Sequence, residues 1–562
     1  MVKRKLRLAG LLPVLLDSSP PIGGPTCHRN TGPPPPLAPQ PPSTINIDAV
    51  KLIPPTKPHH WCRSDPNFNP NDDFTYVLAM LYDPRWIEER LPQTHPDDMP
   101  MIRSRSSLLA HIHQHASWDK LAECSQQDIS AAMPWFTRLK SDGKSSRPLY
   151  DMTVMNHLLG KTKSPRLPTP AQVVDYAMKF NVAASIDLSG WYSQIPIGDK
   201  LSSICGVMAK DEVFRFITLP QGYNGAPLAG QILSTRLTTG IEHRVAGLIY
   251  DNFLVAGYDD EDLTRATSVF YDNCDKCNAV INTAKTTKGP TVDYCGMTVD
   301  VGSKTFSVTD EWAAKASKAL TQALGLLKWS FKDAFAVFGV SEWFIRISRT
   351  PLCFARPILS AQRLIGRRIA RGAAWTSSFE PSEVLRAFIT TLRDRIRSNT
   401  KIPWHHPRTS VFAVTAFSDA SDWGLGVVIV VNNTITAVVS EPWPDEATGH
   451  SAIHIREMIA FRRAREVCPE AHLYLVDNKI VTCCTEKGHS PRPDIDNHLR
   501  DILPSLHAHI AYVPTELNIS DHPSRNRSLS FLKSFNLKPY REQLLAAVQP
   551  TLVDWTYAAH RD

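Results

Sequence analysis

The sequence of 562 residues contains no run of 18 apolar residues, and this absence predicts that the chain has no membrane-spanning helix. Its 11 cysteines form no paired framework, and their scatter is typical of reduced thiols in an intracellular protein of the cytoplasm or nucleus. Charge of neither sign is in large excess, although the net charge of +7 suits a nucleic-acid partner. A hydrophobic content of 43% excludes a disordered chain.

The N-terminal part is rich in proline, including the run Pro33 to Pro36, and such a segment favours an extended linker over helices or strands. Lys3, Arg4, Lys5 and Arg7 precede a short apolar run, which resembles a signal peptide. That run contains Pro13 and no small-residue cleavage site follows it, while KRKLR is equally typical of a nuclear address. We interpret residues 1–72 as a basic, disordered leader, with ordered structure beginning near Phe74.

A chain of this length should hold two or three domains. From residue 130 to 300, short apolar runs alternate with turn signals, and FNVAASIDL, FRFITL, AGLIYDNFLVAG and VDYCGMTV are each typical of strands. Within LIYDNFLVA, Asp251 and Asn252 separate two apolar runs, which predicts the tip of a β-hairpin. We therefore assign residues 73–304 to a first domain with an α+β fold.

Residues 309–400 have a helical pattern and are strongly basic. Four arginines recur at spacings of three to four residues and should share one helix face; they are Arg363, Arg367, Arg368 and Arg371. Arg386, Arg393 and Arg397 repeat the pattern. A single arginine of this kind is usually a solvated surface residue, but the cluster predicts a surface that binds a nucleic-acid duplex, in a helical region from 305 to 407.

A second β-rich region begins near residue 410. VFAVTAFSDASDWGLGVVIVV predicts two strands around a glycine-containing turn, HIREMIAFRRAREVC a helix, and HLYLVDN another strand. Strands followed by a helix and a strand are typical of an α/β layered domain. We assign residues 408–530 to this domain and residues 531–562 to a C-terminal tail.

Two sets of carboxylates stand out against this background. Asp187 and Asp251 form the first set, and the second set consists of Asp419, Glu457, Asp477 and Asp521. Phosphoryl transfer depends on charge neutralisation and in-line positioning, which a pair of divalent cations provides. Hard cations such as Mg²⁺ or Mn²⁺ select carboxylate oxygens, so the sequence predicts two metal ions at each site.

Several motifs in a fixed order resemble the fingers and palm of reverse transcriptases: MPWFTRLKSDGKSSRPLYDMTVMNHLL, IDLSGWYSQIPI, TLPQGYNGAP, IYDN, INTAKTT and YCGM. The resemblance implies a right-hand polymerase in which Asp187 and Asp251 bind metal. It also implies that Lys140 and Arg147 bind the triphosphate of the incoming nucleotide and that Tyr192 is the aromatic residue that excludes ribonucleotides. By the same resemblance, Gln221 and Gly222 support the template and the nucleotide, and Lys285 lies near the leaving pyrophosphate. YCGM resembles the hairpin that grips the primer.

One position departs from this family. The catalytic hairpin normally contains two aspartates, but here the second is Asn252. An amide oxygen can coordinate Mg²⁺ without contributing charge, and by analogy with disturbed metal shells the penalty is about 10–100-fold in activity. Nearby, Tyr258-Asp259-Asp260 resembles the same motif, but its acidic residues are better explained as the start of a helix.

Residues 410–527 resemble the RNase H domain that follows reverse transcriptase in retroelements, through SDASDWGLG, HIREMIAF, LYLVDN and VPTELNISDHPSR. The resemblance implies that Asp419, Glu457, Asp477 and Asp521 bind the metal ions. A loop histidine usual in retroviral RNase H is replaced by Thr515 and Glu516, as in gypsy-like, pararetroviral and DIRS-like elements. We interpret His507 and His509 as structural and Asp422 as a solvated turn residue.

Some metal-like signals are weak. Cys274 and Cys277 have metal-like spacing without a second pair, and His59-His60-Trp61-Cys62 fits no zinc pattern. We found no aspartic protease motif, no integrase zinc pattern and no nucleocapsid-type knuckle, and a chain with these two domains most resembles DIRS-like or VIPER-like tyrosine-recombinase elements.

The sequence therefore predicts an RNA-directed DNA polymerase with RNase H activity. Its partners would be an RNA template, a DNA primer and product, an RNA–DNA hybrid and deoxynucleoside triphosphates, together with other retroelement-encoded proteins. One alternative is a nuclease whose polymerase has lost activity through Asn252. The other is a domesticated RNA-binding or structural protein that keeps only the fold.

Overall fold

The computed structural model describes residues 44–62, 68–91, 99–139, 146–404, 413–445, 451–504, 506–528, 530, 532 and 536–554. The chain divides into two compact units, Met1–Lys315 and Ala316–Asp562. Both units mix helices with sheets, so the predicted multidomain α+β and α/β fold class is confirmed. Among the described residues, no helix combines the length and the apolar character needed to cross a membrane.

The central sheet of the first unit is antiparallel and has four strands, in the order Thr287–Gly289, Val182–Asp187, Asn252–Gly257, Val245–Ile249. Alternate side chains of the strands, such as Ala184 and Ile186, are buried in the core of the unit. The two strands that meet at Tyr250 and Asp251 form the hairpin that the sequence predicts. The central sheet therefore brings the end of strand Val182–Asp187 beside that hairpin tip.

Other elements of the first unit surround this sheet. The strands are Arg103–Ser104, Leu121–Glu123, Trp135–Leu139, Ser146–Tyr150, Gly206–Ala209, Glu212–Phe216, Thr291–Tyr294, Met297–Asp300 and Thr305–Val308. The helices are Ile47–Leu52, Pro70–Tyr82, Pro84–Glu88, Leu109–Ala116, Thr153–Leu159, Pro170–Ala177, Asp199–Ser203, Ala226–Leu237 and Asp260–Lys276. Asp259 caps the last of these helices by accepting a hydrogen bond from the Asp262 amide, in agreement with the interpretation of that acidic run as a helix start.

The segment VDYCGMTV forms two strands, Thr291–Tyr294 and Met297–Asp300, joined in a tight hairpin, so the hairpin predicted for YCGM is present. Its two turn residues, Cys295 and Gly296, have φ angles of 47° and 80°. Two consecutive residues with positive φ reverse the chain in register with the natural twist of the strands.

The prediction that ordered structure begins near Phe74 is also wrong. Residues 44–62 contain a helix, Ile47–Leu52, whose Ile47 and Val50 are buried in the core of the first unit. In the same stretch Trp61 is buried and stacks on the ring of His59, with 4.4 Å between ring centroids. The part of the predicted leader from residue 44 to 62 is therefore part of the fold, and residues 1–43 lie outside the described residues.

Four long helices lie between residues 310 and 398, as predicted: Asp310–Leu324, Phe331–Ile347, Arg356–Ala370 and Glu383–Ser398. Not all their arginines are free for a ligand. Arg386 donates to the carbonyls of Leu324, Leu326 and Leu327, where a helix ends. Arg397 donates to the hydroxyls of Ser317 and Thr321. Arg386 and Arg397 therefore hold the helices together, and the predicted duplex-binding surface does not include them.

The second unit contains a six-stranded sheet, in the order Thr434–Pro442, Gly424–Val431, Val414–Ala420, Leu473–Val476, His507–Tyr512, Thr551–Asp554. The first three strands are antiparallel, and Leu473–Val476 and His507–Tyr512 run parallel to Val414–Ala420. Helices accompany the sheet: Ile453–Val467, Lys479–Lys487, Pro493–Ile502, Asp521–Ser524 and Leu537–Ala547. This arrangement is the α/β layered architecture that the sequence predicts.

The prediction that residues from 531 onward form a separate tail is wrong for the described residues of that segment, because they join the second unit. The strand Thr551–Asp554 pairs antiparallel with His507–Tyr512, and Leu537 and Leu544 are buried against one face of the sheet. Short apolar segments of this kind gain stability only from the sheet that they join, so their sequence alone does not reveal them.

Candidate active sites

The first candidate site lies at the edge of the central sheet. Asp187 ends its strand and pairs in register with Asn252, while the Leu188 amide donates to the Asp251 carbonyl over 2.9 Å. Asp251 is half-buried in the hairpin turn, and its burial, with the charge of Asp187, raises the pKa of its carboxyl to about 6. The structure thus brings together the two aspartates that lie 64 positions apart in the sequence.

A lysine and two amides surround this pair. The Lys285 Nζ lies 3.4 Å from Asp187 Oδ1, and the Asn282 side-chain amide donates to the same oxygen over 3.1 Å. The Asn252 side-chain amide donates to Asp251 Oδ1 over 2.9 Å. Both carboxylates are therefore partly compensated by this chain's own donors, and Lys285 lies at the site as predicted.

The hairpin turn depends on a residue that the sequence analysis missed. Tyr250 has a φ of 55°, a conformation that costs a bulky residue energy and needs support from its surroundings. The buried Gln231 supplies this support, because its side chain accepts from the Tyr250 amide over 2.8 Å and donates to the Leu248 carbonyl over 3.1 Å. Its position in a helix ten residues after Gln221 gives no sequence signal of this contact.

Among the predicted nucleotide-contact residues, Tyr192 lies near the hairpin turn. Tyr192 lies against the helix Ala226–Leu237, where a side chain at Gly230 would come within 3.0 Å of its ring. Its ring centroid is 6.5 Å from that of Tyr250, so the aromatic residue predicted to exclude ribonucleotides is adjacent to the hairpin turn. Lys140 lies outside the described residues, and Arg147 is in the strand Ser146–Tyr150.

Gln221 and Gly222 are both exposed. Gly222 has a φ of 126°, and a Cβ there would lie 2.1 Å from the carbonyl oxygen of Tyr150. Only glycine fits such a close approach of two backbones. The loop of Gln221 is therefore fixed against the end of the strand that contains Arg147.

The second candidate site contains three carboxylates from three different elements. Asp419 is in the strand Val414–Ala420, Glu457 in the helix Ile453–Val467, and Asp477 follows the strand Leu473–Val476. One oxygen from each lies within 4.8 Å of the other two. Asp419 and Glu457 are each only 2% exposed, and Glu457 Oε2 has no hydrogen-bond partner among the described residues.

The electrostatics of this cluster are unfavourable without a cation. Burial, together with the charge of Asp477, raises the pKa of Asp419 to about 8 and that of Glu457 well above its ordinary value. Burial penalises the charged forms and neighbouring like charges add to that penalty. The donor set consists of hard oxygens around a buried, unsatisfied oxygen atom, so it fits Mg²⁺ or Mn²⁺.

The fourth predicted carboxylate, Asp521, is at the start of the short helix Asp521–Ser524 and has different neighbours. Arg525 Nε lies 2.7 Å from its Oδ1 and an Arg527 nitrogen lies 3.4 Å from its Oδ2. This helix packs closely on the strand Gly424–Val431, where a Cβ at Gly426 would lie 2.4 Å from the Ser524 nitrogen. Gly426 pairs in register with Asp419, so the packing brings this helix beside Asp419.

Three side chains fix these carboxylates directly. The buried Ser524 hydroxyl donates to Asp419 Oδ2, and the Asn518 amide donates to Asp419 Oδ1 over 3.5 Å and to the Ser418 carbonyl over 3.0 Å. The Thr515 hydroxyl donates to Asp477 Oδ2 over 3.2 Å, from the loop that lacks a histidine. The sequence analysis recognised the surrounding motif but did not assign these positioning roles.

The predicted duplex-binding arginines lie on one helix, and all four are exposed: Arg363, Arg367, Arg368 and Arg371. Arg368 differs from the others, because it donates to the Ser378 carbonyl and lies over the ring of Phe331. The face that remains for a ligand is thus formed by the three arginines at spacings of four.

The weak metal signals have structural explanations. Cys274 and Cys277 are free thiols buried in the core of the first unit. His59 contacts the Thr238 hydroxyl, and the His60 ring stacks on Tyr176. Asp422 is fully exposed beside Arg456, as expected for a turn residue.

Comparisons with known proteins add a relative for part of the chain. Over 199 residues, which are 34% of its length, the chain is 25% identical to the retrovirus-related Pol polyprotein from transposon 412 of Drosophila melanogaster. The match spans 16% of that polyprotein. No protein-family model matches the chain. The chain is therefore similar to a retroelement Pol polyprotein over about a third of its length.

The solved structures to which the chain is similar include foamy viral protease–reverse transcriptases. One is in complex with an RNA/DNA hybrid; it has a TM-score of 0.46 and 12% identity, over 82% of this chain and 62% of that one. Another is in complex with double-stranded DNA; it has a TM-score of 0.45 and 12% identity, over 79% of this chain and 91% of that one.

Proposed function

We propose that this protein is the RNA-directed DNA polymerase of a retroelement and also degrades the RNA of RNA–DNA hybrids. The observation that carries the proposal is the presence, in one chain, of two separately built carboxylate centres. Asp187 and Asp251 meet at a hairpin beside Lys285. Asp419, Glu457 and Asp477 converge at the edge of an α/β sheet. The similarity to a retroelement Pol polyprotein supports the same reading.

In this proposal each centre holds two Mg²⁺ or Mn²⁺ ions, which would neutralise the phosphate and polarise the attacking oxygen. The chain's own residues would do the rest. Tyr192 would limit the space beside the sugar, Lys140 and Arg147 would bind the triphosphate, and Lys285 would face the pyrophosphate. The exposed face of Arg363, Arg367 and Arg371 would contact the duplex, and the protein would act inside the cell.

The test measures two activities in the full-length protein: primer extension on an RNA template, and cleavage of a preformed RNA–DNA hybrid. We expect Asp187→Asn to remove extension and leave cleavage, and Asp419→Asn to do the reverse. Asp272→Asn, on an exposed helix face, and Asp422→Asn, three residues from Asp419 and facing solvent, are the matched controls. Wild-type protein that is folded but has neither activity in Mg²⁺ or Mn²⁺ would refute the proposal.

A second function, a hybrid nuclease with an inactive polymerase, is favoured by one observation. Asn252 replaces a carboxylate and donates a hydrogen bond to Asp251, so the first centre has less negative charge for cations than the second. The same experiment decides between them, because cleavage without extension in either metal supports the nuclease alone. We also propose that the retroelement is DIRS-like or VIPER-like. The other genes of that retroelement test this assignment.

A further inference from the structure

The nuclease centre has two sides with opposite electrostatics. On one side, Asp419, Glu457 and Asp477 converge, and a buried Glu457 oxygen has no hydrogen-bond partner among the described residues. On the other side, Asp521 is paired with Arg525 over 2.7 Å and with Arg527 over 3.4 Å. The first side therefore attracts cations, while the second already contains cationic groups of the chain.

Arg525 is the better placed of the two arginines. It follows Ser524, whose hydroxyl donates to Asp419, so its backbone is fixed within the centre. Its side chain is 45% exposed although Asp521 is only 16% exposed. Because the side chain of Arg525 is partly exposed, an anion from solution can reach its guanidinium group. The guanidinium group binds phosphate with the same two-nitrogen geometry as carboxylate.

We propose that Arg525 couples hybrid binding to metal loading at the Asp521 side of the nuclease centre, an inference that rests on the proposed nuclease function. Without nucleic acid, Arg525 competes with a divalent cation for Asp521. When a hybrid binds, a phosphate of its backbone takes the guanidinium, and Asp521 becomes a metal ligand. Each ligand then strengthens the binding of the other, as linkage requires.

The first measurement is Mn²⁺ binding by full-length protein carrying Asp187→Asn and Asp251→Asn. These two changes remove the aspartates of the polymerase centre, so that it does not contribute to the binding. We expect one tighter ion, which Glu457→Gln weakens, and one weaker ion. Arg525→Gln should tighten the weaker ion by about fivefold or more. Arg492→Gln is the matched control, since Arg492 forms an exposed ion pair with Asp494 elsewhere in the unit.

The second measurement is the affinity for an RNA–DNA hybrid in EDTA, where no cleavage occurs, over a range of salt concentrations. Arg525→Gln should weaken binding and lower the salt slope by about one, the value for one lost phosphate contact. Arg525→Lys should retain part of the hybrid affinity and part of the salt slope, since lysine keeps the charge without the paired nitrogens.

The proposal needs both changes, and an Arg525→Gln protein with unchanged Mn²⁺ affinity or unchanged salt slope overturns it. That failure differs from failure of the nuclease function itself. If no tight Mn²⁺ ion is found, or if Glu457→Gln leaves it unaffected, the carboxylate cluster is not a metal site.

Discussion

The two carboxylate centres differ in how their negative charge is balanced. At the first, Lys285 and two side-chain amides contact the aspartates, and one of these amides belongs to Asn252, where the resemblance to reverse transcriptases predicts a carboxylate. At the second, three carboxylates converge and a buried oxygen of Glu457 has no partner among the described residues. The negative charge of the first centre is therefore partly compensated by the chain's own donors, while that of the second depends more strongly on cations from outside.

The centres also differ in how they are held in place. Gln231 acts on the first through the backbone of the hairpin turn and touches no carboxylate. Ser524 and Thr515 act on the second by donating to the carboxylates themselves. We therefore expect mutations to alter the first centre through its geometry and the second through its charge.

The largest expected effect is at Glu457. Glu457→Gln keeps the side-chain shape and removes one charge from the cluster, so hybrid cleavage should fall by about 1,000-fold, a typical loss for an electrostatic group at a reacting centre. The metal-free protein should become more stable at neutral pH, because the raised pKa of Glu457 means that folding must take up a proton, which glutamine does not need. Cleavage assays and thermal unfolding in EDTA measure the two effects.

Asp422→Asn is the control, since its carboxylate is exposed and outside the cluster. It should leave both quantities nearly unchanged. A Glu457→Gln protein that loses cleavage and also unfolds at lower temperature in EDTA would contradict the charge-balance argument.

The next effect concerns Gln231. Gln231→Leu removes both hydrogen bonds to the hairpin, so the partly buried Tyr250 amide and the buried Leu248 carbonyl lose their partner. Because small misplacements of a catalytic group cost about 100-fold in rate, primer extension should fall by about that factor while hybrid cleavage is retained. Single-turnover extension separates this loss from weaker nucleotide binding.

Ser234→Ala is the matched control, because Ser234 is fully buried in the same helix and its hydroxyl makes no hydrogen bond among the described residues. Equal losses of extension in the two variants would mean that Gln231 acts by packing and not by positioning the turn.

How much of each centre the sequence predicts follows from these differences. The carboxylates themselves were predictable, because Asp187, Asp251 and the RNase H-like set each occur in a motif with a distinct pattern. Gln231 and Ser524 were not assigned, since each acts on a group far away in the sequence. Asn252 could be recognised as a departure, but its hydrogen bond to Asp251 could not.

The fold shows the same limit. The alternation of apolar residues predicted the main strands and the helices between 310 and 398. It did not predict that Trp61 and Val50 are buried, or that Thr551–Asp554 joins the sheet, because these segments are stabilised by contacts with distant parts of their own units. The arginine repeats likewise predict a shared helix face, but only contacts distinguish Arg386, which holds a helix end, from Arg367, which is exposed.

A change at Asn252 would make the first centre more like the second. Asn252→Asp adds a carboxylate beside Asp251 and removes the hydrogen bond from the amide. Extension in Mg²⁺ should rise by about tenfold, as expected when a metal shell regains a missing ligand. The metal-free protein should become less stable. Steady-state extension in Mg²⁺ and Mn²⁺ measures the effect, and a fall in activity with both metals would show that the amide has a role that a carboxylate cannot replace.

The smallest effect is a dependence of stability on pH. The raised pKa of Asp419, about 8 against an ordinary 3.8, means that the folded protein holds a proton that the unfolded chain releases. Between these two values a rise in pH therefore destabilises the metal-free fold, the opposite of the usual behaviour of a paired aspartate. Asp419→Asn removes this contribution, so in EDTA the variant should gain in melting temperature over wild type as pH rises from about 5 to about 8, by about 2–4 °C per kcal/mol. Mg²⁺ should cancel the difference at the higher pH, because the ion replaces the proton in the wild-type cluster alone.

At the first centre the pKa of Asp251 is raised only to about 6, so the corresponding gain in melting temperature for Asp251→Asn should be complete at a lower pH. If the two variants gave the same profile, the two centres would not differ in charge balance.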